Sequence, residues 1–255
     1  MKAGLRHIQA AAHRTFWHHD AMTAHAFIAG ATGYTGRALV GTLADQGIKT
    51  TAHVRPDSSA LDAHRAYFEG FGAHVDTTPW TEDAMRESLL RLQPTLVFCL
   101  LGTTRHRVKQ ERQAGGAGLT YDAVDYGMTM MVIRAAEAMT TPPRVVYLSS
   151  AGVKPSRPGS YLEARYKVES ALKASALAWT IARPCFITGS DRQESRPAER
   201  FGAIVSDSLL TLLGPSIKAR FSSITAGELS RGLLRHAMHP ESAGATIDAA
   251  GLRDL

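Results

Sequence analysis

The tightest constraint on this chain is a run of three glycines at fixed spacing, Gly30-Ala31-Thr32-Gly33-Tyr34-Thr35-Gly36. It stands between an apolar segment, HAFIA, and a stretch of helical periodicity, YTGRALVGTLADQG. Glycines at i, i+3 and i+6 let the chain turn sharply and bring backbone N–H groups close to a ligand. A helix opening on such a turn adds unpaired N–H groups and the positive end of its dipole, which suits a pyrophosphate. Glycines alone also serve ordinary tight turns. The strand before, the helix after and a second strand, KTTAHV, shortly behind make the combination that of a dinucleotide-binding turn. Gly30, Thr32, Gly33, Tyr34, Thr35 and Gly36 are the candidate contacts, and Arg37 follows them on the helix.

The rest of the chain keeps the same alternation. AHVDTTPW contains a third strand, TEDAMRESLLRL a helix, and TLVFCLLG a fully apolar fourth strand. YDAVDYGMTMMVIRAAEAM reads as one long helix, and RVVYLSS, the stretch from Tyr161 to Leu177, and WTIARP read as strand, helix, strand. Strands alternating with helices of these lengths specify an α/β fold, a Rossmann-like doubly wound parallel sheet covered on both faces. After Ile187 the chain is less regular and rich in Arg, Ser and Gly, as a small C-terminal substrate lobe over 187–255 would be. Residues 1–21 read as an N-terminal extension, expected to be poorly ordered, ahead of one domain over 22–255. That extension lacks an uninterrupted apolar core and a small-residue cleavage site, so it does not read as a secretion signal. Its histidines, His7, His13, His18 and His19, with His25 just beyond, fit no defined ligand spacing for a metal.

Composition narrows the function classes. Two cysteines, Cys99 and Cys185, in 255 residues exclude a disulfide framework, and neither CxxC nor HExxH occurs. A reduced, cytoplasmic setting is the expectation. No apolar run approaches the ~20 residues of a membrane span. The net charge of +6 raises nucleic acid as a partner. The densest basic run, Arg105-His106-Arg107-Val108-Lys109, reads as part of a solvated loop after the fourth strand. Neither interleaved stacking aromatics nor a recognition motif accompanies it, so a small-molecule substrate is the expected partner. Met128, Met130, Met131 and Met139 fall on the long helix, where internal packing or a homodimer contact accounts for them.

The end of the second strand selects the cofactor. NAD sites place Asp or Glu there, to accept from the ribose hydroxyls. This chain has His53-Val54-Arg55 and no acid before Asp57. Arg55 is therefore placed to meet a 2′-phosphate, with Arg37 in support, which points to NADP(H).

With GATGYTG and Arg55 in place, the chain resembles an atypical short-chain dehydrogenase/reductase. CLLGTTR (Cys99 to Arg105), LSS (Leu148 to Ser150) and DRQESRP (Asp191 to Pro197) resemble the HIV Tat-interacting oxidoreductase family, relatives of the NmrA-like proteins. The resemblance runs from about Ala24 to the C-terminus and implies a Rossmann fold that binds NADPH. It also implies that Leu101 and Gly102 lie in a loop beside the adenine and ribose, and that Arg183-Pro184 leads into the nicotinamide side. Independently, a glycine at a strand's carboxyl end is expected wherever backbone approaches a ligand in such a sheet.

In short-chain reductases a Tyr is the acid, a Lys four residues on lowers its pKa and binds the ribose, and a Ser orients the carbonyl. The resemblance assigns Tyr161 and Ser150 to two of these roles, Ser150 rather than Ser149 because strand alternation points one of them into the site. Residues i and i+4 share a helix face, and four residues past Tyr161 stands Arg165, with Lys167 rotated about 120° away at six. The chain departs from the family at its catalytic lysine. Arginine keeps the charge but is wider and prefers forked acceptors. The expectation is an NADPH-dependent oxidoreductase acting on a small carbonyl or quinone-like compound, with Arg165 as electrostatic support. The alternative is an NmrA-like redox sensor that binds NADP(H) without turnover.

Overall fold

A computed structural model describes residues 23–113, 115, 118–189 and 223–253. The N-terminal extension and the DRQESRP segment lie outside the described residues. Seven strands form one parallel sheet in the order β3-β2-β1-β4-β5-β6-β9. In chain order they are β1 (His25–Ala29), β2 (Lys49–His53), β3 (His74–Asp76), β4 (Leu96–Cys99), β5 (Arg144–Leu148), β6 (Trp179–Arg183) and, last, β9 (Ala245–Asp248). A second sheet pairs two short parallel strands, β7 (Phe186–Thr188) with β8 (Ser223–Thr225). The strand order reverses between β1 and β4, which is the place where a doubly wound sheet opens a crevice at its carboxyl edge.

Strand alternation builds the core. Ala26 and Ile28 of β1, Phe98 of β4 and Val146 of β5 point to one face. There they meet Leu39, Val40 and Leu43 of α1 (Tyr34–Asp45), Phe68 of α2 (Leu61–Glu69) and Leu229 and Leu233 of α7 (Ala226–Met238). Phe27, Ala29, Val97, Cys99, Val145 and Tyr147 point to the other face. They pack on Met85 and Leu89 of α3 (Glu82–Leu92), Val132 and Ile133 of α5 (Thr129–Glu137), and Val168 and Leu172 of α6 (Tyr161–Ala174). The near-continuous apolar reading of β1 and β4 follows from this two-sided burial.

Several elements differ from the sequence expectation. Helix α2 went unread because its sequence, LDAHRAYFE, buries a single side chain, Phe68, and so carries little periodicity. The basic run expected as a loop is helical, α4 (Arg105–Gln113); its residues form helices well and contain no Gly or Pro to stop one. The long helix opens with a π-helical turn, Tyr121–Met128, before α5 begins. Such turns are frequent at functional sites, and this one carries Asp125.

Within the span expected as the substrate lobe, α7 is fixed by a capping box between Thr225 and Glu228. A buried Ser230 hydroxyl on α7 meets Thr42 of α1 at 2.7 Å, and β9 pairs with β6. Among the described residues no helix is long and apolar enough to cross a membrane, and no group of His, Cys, Asp and Glu could hold a metal ion.

Candidate functional site

Because the sheet is parallel, the carboxyl ends of β1, β2, β4, β5 and β6 share one edge, and every candidate residue within the described span lies along it. Gly30 leaves β1 with φ of 92°, and a Cβ there would sit 2.8 Å from the carbonyl carbon of Leu100. Its carbonyl accepts from Gly33 N–H at 3.1 Å, closing the turn. A Cβ on Gly36 would lie 2.3 Å from the Gly30 carbonyl oxygen, so only glycine lets α1 press against the turn. Gly33 is the exposed N-cap of α1 and no side chain caps the helix. A first turn with no side-chain cap is the condition a pyrophosphate cradle requires. Thr35 is buried in this turn, and the Tyr34 hydroxyl donates to the Thr188 carbonyl at 3.4 Å.

At the end of β2, His53 and Val54 are buried while Arg55 and Asp57 are exposed, 3.5 Å apart. Burial, first of all, holds the His53 imidazole below its ordinary pKa, although it contacts the Thr78 carbonyl at 2.7 Å. His53 is therefore a packed neutral group. Arg55 is the cation this strand end presents.

The centre of the edge is organised by Arg165. Its side chain is 4% exposed and pairs at 2.8 Å with Asp125, which is fully buried. Nη1 also donates to the Leu148 carbonyl at 2.6 Å and to the Tyr147 hydroxyl at 3.2 Å, and Nη2 to the Leu101 carbonyl at 3.0 Å. The second oxygen of Asp125 accepts from Thr103 N–H at 2.9 Å. One ion pair thus ties the ends of β4 and β5 to the π-helical turn. Gly102 is part of the fit, since a Cβ there would stand 2.5 Å from Arg165 Nη2. Burial opposes the charge of Arg165, but its partners, with the Asp125 carboxylate as the anion among them near neutral pH, more than offset this and keep it ionised. Burial pushes the Tyr147 hydroxyl well above its ordinary pKa.

Tyr161, at the start of α6, lays its ring over the same guanidinium, 5.1 Å from Cζ to the ring centre, and stacks edge-on to Tyr121 at 5.6 Å. The structure therefore brings Tyr161 and Arg165 together, as i and i+4 on one helix predict. The arginine's Nη groups, however, are directed into the protein.

The two serines after β5 part company. Ser149 is buried and donates to Glu169 at 2.6 Å, whereas Ser150 is half-buried and donates to the Ala151 carbonyl at 3.3 Å. Glu169 also takes Arg183, with Nε to Oε1 at 2.8 Å, and Lys173 at 3.2 Å. Burial pushes the Glu169 carboxyl up, but Arg183, Ser149 and Lys173 bring it below the ordinary value. Arg183 thus braces β6 against α6, while the carbonyl of its neighbour Pro184 accepts from Ala151 N–H at 2.9 Å. Asp125 and Glu169, the two buried carboxylates that fix Arg165 and Arg183, were missed in the sequence. The only signal was their place on the inner face of their helices, one turn from an aromatic residue or a candidate site residue.

Two atoms beside the centre have no protein partner although buried: Thr103 Oγ1, on the loop with Leu101 and Gly102, and Arg165 Nε. A glycine cradle under an uncapped helix, with unsatisfied polar atoms further along the same edge, fits a bound dinucleotide. The sequence profile of the NAD(P)H-binding family matches residues 30–207, a span that begins on the first glycine.

The chain belongs to this family. As an NAD(P)H-binding protein it is also similar to the protein fmp52, mitochondrial, of Aspergillus fumigatus, 31% identical over 180 residues that cover 69% of this chain and 71% of the relative. Solved structures share the fold. A proposed NAD-dependent epimerase/dehydratase from Bacillus halodurans superposes with a TM-score of 0.63 at 17% identity, covering 90% of this chain and 98% of that one. A short-chain dehydrogenase/reductase from Serratia marcescens gives 0.62 at 13% identity, with coverages of 91% and 98%.

Proposed function

We propose that this NAD(P)H-binding protein is an NADP(H)-dependent oxidoreductase that reduces a small carbonyl or quinone-like compound. The observation that carries the reading is the Tyr161 ring held 5.1 Å over a guanidinium that its buried surroundings keep ionised. A fixed cation against the ring would help carry the negative charge that develops on the phenol as its proton leaves. NADPH supplies a hydride when bound. The chain's residues do the remainder: Gly30, Gly33 and Gly36 open the pyrophosphate cradle, and Thr32, Tyr34 and Thr35 line it. Leu101 and Gly102 would border the nucleoside, and Arg183 with Pro184, through the brace between β6 and α6, would close the nicotinamide side. Ser150 would hold the substrate's carbonyl oxygen, and Tyr161 would give its proton to that oxygen and regain one from solvent.

Arg55 and Arg37 meet the 2′-phosphate in this reading. Arg55→Ala should therefore weaken NADPH by roughly tenfold or more while leaving NADH nearly unchanged, since a charge-assisted bond to phosphate contributes about 1.5–3 kcal/mol. Equal loss for both cofactors, measured by fluorescence titration, would remove Arg55 from that role.

A second reading, an NmrA-like redox sensor that binds NADP(H) without turnover, is favoured by one observation. The Arg165 Nη groups bond to Leu148, Tyr147, Leu101 and Asp125, so they do not make the ribose contact expected of a lysine. Binding without NADPH oxidation across a carbonyl and quinone panel would select it. The reading places the protein in the cytoplasm; its fungal relative is named mitochondrial, and fractionation of cells expressing the full chain decides between the two.

A further inference from the structure

Arg37, one turn into α1, leans across to α2. Its guanidinium carbon lies 5.4 Å from the centre of the Tyr67 ring, and Nη2 stands 3.5 Å from Nδ1 of His64. The loop that carries Arg55 leads directly into α2. Three side chains able to carry positive charge thus come from α1, from the β2–α2 loop and from α2, at the strand end where a dinucleotide's 2′-substituent is read.

We propose that His64 is a third ligand of the 2′-phosphate and that its protonation couples NADP(H) binding to pH. The inference rests on the reading that Arg55 and Arg37 meet that phosphate. Before a phosphate arrives, partial burial, and then the nearby charge of Arg37, hold the imidazole below its ordinary pKa. The other charged groups close in sequence are paired elsewhere: Arg55 with Asp57 at 3.5 Å, and Arg65 with Glu69 at 3.6 Å. Asp62 lies in the first turn of the same helix. A dianion bound alongside Arg37 and His64 reverses the balance, because an opposite charge favours the imidazolium. Binding then takes up a proton, so affinity for NADPH grows as pH falls through the histidine range. NADH carries the pyrophosphate but no 2′-phosphate, so it does not drive the uptake. The phosphate's own second ionisation, near pH 6, acts in the opposite sense, but it acts equally on wild type and variants. A rise of one unit in the His64 pKa gives at most about a tenfold gain in affinity.

The test is equilibrium titration of the full chain with NADPH and with NADH from about pH 8 to about pH 6, spanning the range in which histidine changes charge. Wild type, His64→Gln and His64→Lys are compared. Relative to His64→Gln, the wild-type preference for NADPH over NADH should climb several-fold toward about tenfold as pH falls. His64→Lys, with its permanent charge, should show a strong preference at both ends of the range. Superimposable pH profiles for wild type and His64→Gln, with the NADPH preference intact, would overturn the role of His64 and leave the phosphate site standing. Equal binding of NADPH and NADH by wild type at every pH would overturn both.

Discussion

Arg165 shows how one residue's meaning depends on a partner far along the chain. Its place four residues after Tyr161 is plain in the sequence. Its burial against Asp125, forty residues earlier, is not, because nothing local marks that contact. The sequence suggests an electrostatic stand-in for lysine; the structure adds a brace that joins two strand ends to the π-helical turn. A buried pair broken from one side leaves an uncompensated charge, so Arg165→Met should cost about 3–5 kcal/mol. Urea unfolding would show this as a lower midpoint, and an unmoved midpoint would refute the brace. Glu169 extends the argument to pH. Its folded pKa lies below the ordinary carboxyl value, because Arg183, Ser149 and Lys173 outweigh burial. The stability it contributes is therefore complete above its unfolded pKa of about 4.3 and is lost as acid carries the pH down through the folded value. The stability gap between wild type and Glu169→Gln should shrink below about pH 4, and a gap that stays constant into acid would contradict it.

Secondary-structure elements were legible where periodicity or turn chemistry is strong. The first strand, the glycine turn and α1 follow from residues 25–45 because each obeys a local rule: two-sided burial, close backbone approach, then a helical apolar face. Helix α2 escaped because one buried Phe68 gives no stripe; α7 carries both a cap, Thr225 with Glu228, and a buried stripe of Ala226, Leu229, Leu233 and Ala237, but small and polar residues (Gly227, Ser230, Gly232) interrupt that stripe. The π-helical opening at Tyr121–Met128 has no marker that separates it from an ordinary helix start. At this scale the turn makes a sharp prediction. A Cβ at position 36 would meet the Gly30 carbonyl oxygen at 2.3 Å and the Ala31 Cα at 2.7 Å, both of them backbone atoms that cannot rotate away. Gly36→Ala should therefore spread the turn, weaken NADPH binding and lower the melting temperature together. A variant that melts normally and binds NADPH as wild type would mean that the turn tolerates spreading.

For the whole molecule, the doubly wound parallel sheet follows from alternation alone, and its strand order sets the ligand edge. The basic net charge of +6, which first raised nucleic acid, reads differently once the cations are placed. Arg165 and Arg183 hold buried carboxylates, while Arg37 on α1 and Arg55 after β2 are the cations that the proposed reading sets against the 2′-phosphate. The residues that would shape a substrate pocket are less legible, since DRQESRP and its surroundings have no periodicity and lie outside the described residues. Turnover is therefore the claim that most needs a direct test. Wild type and Tyr161→Phe should be assayed side by side for NADPH oxidation across a carbonyl and quinone panel. The account predicts turnover by wild type and a fall of roughly a hundredfold or more in the variant, the usual contribution of a placed proton donor. Equal rates in the two proteins, or no oxidation by either while NADPH remains bound, would contradict it.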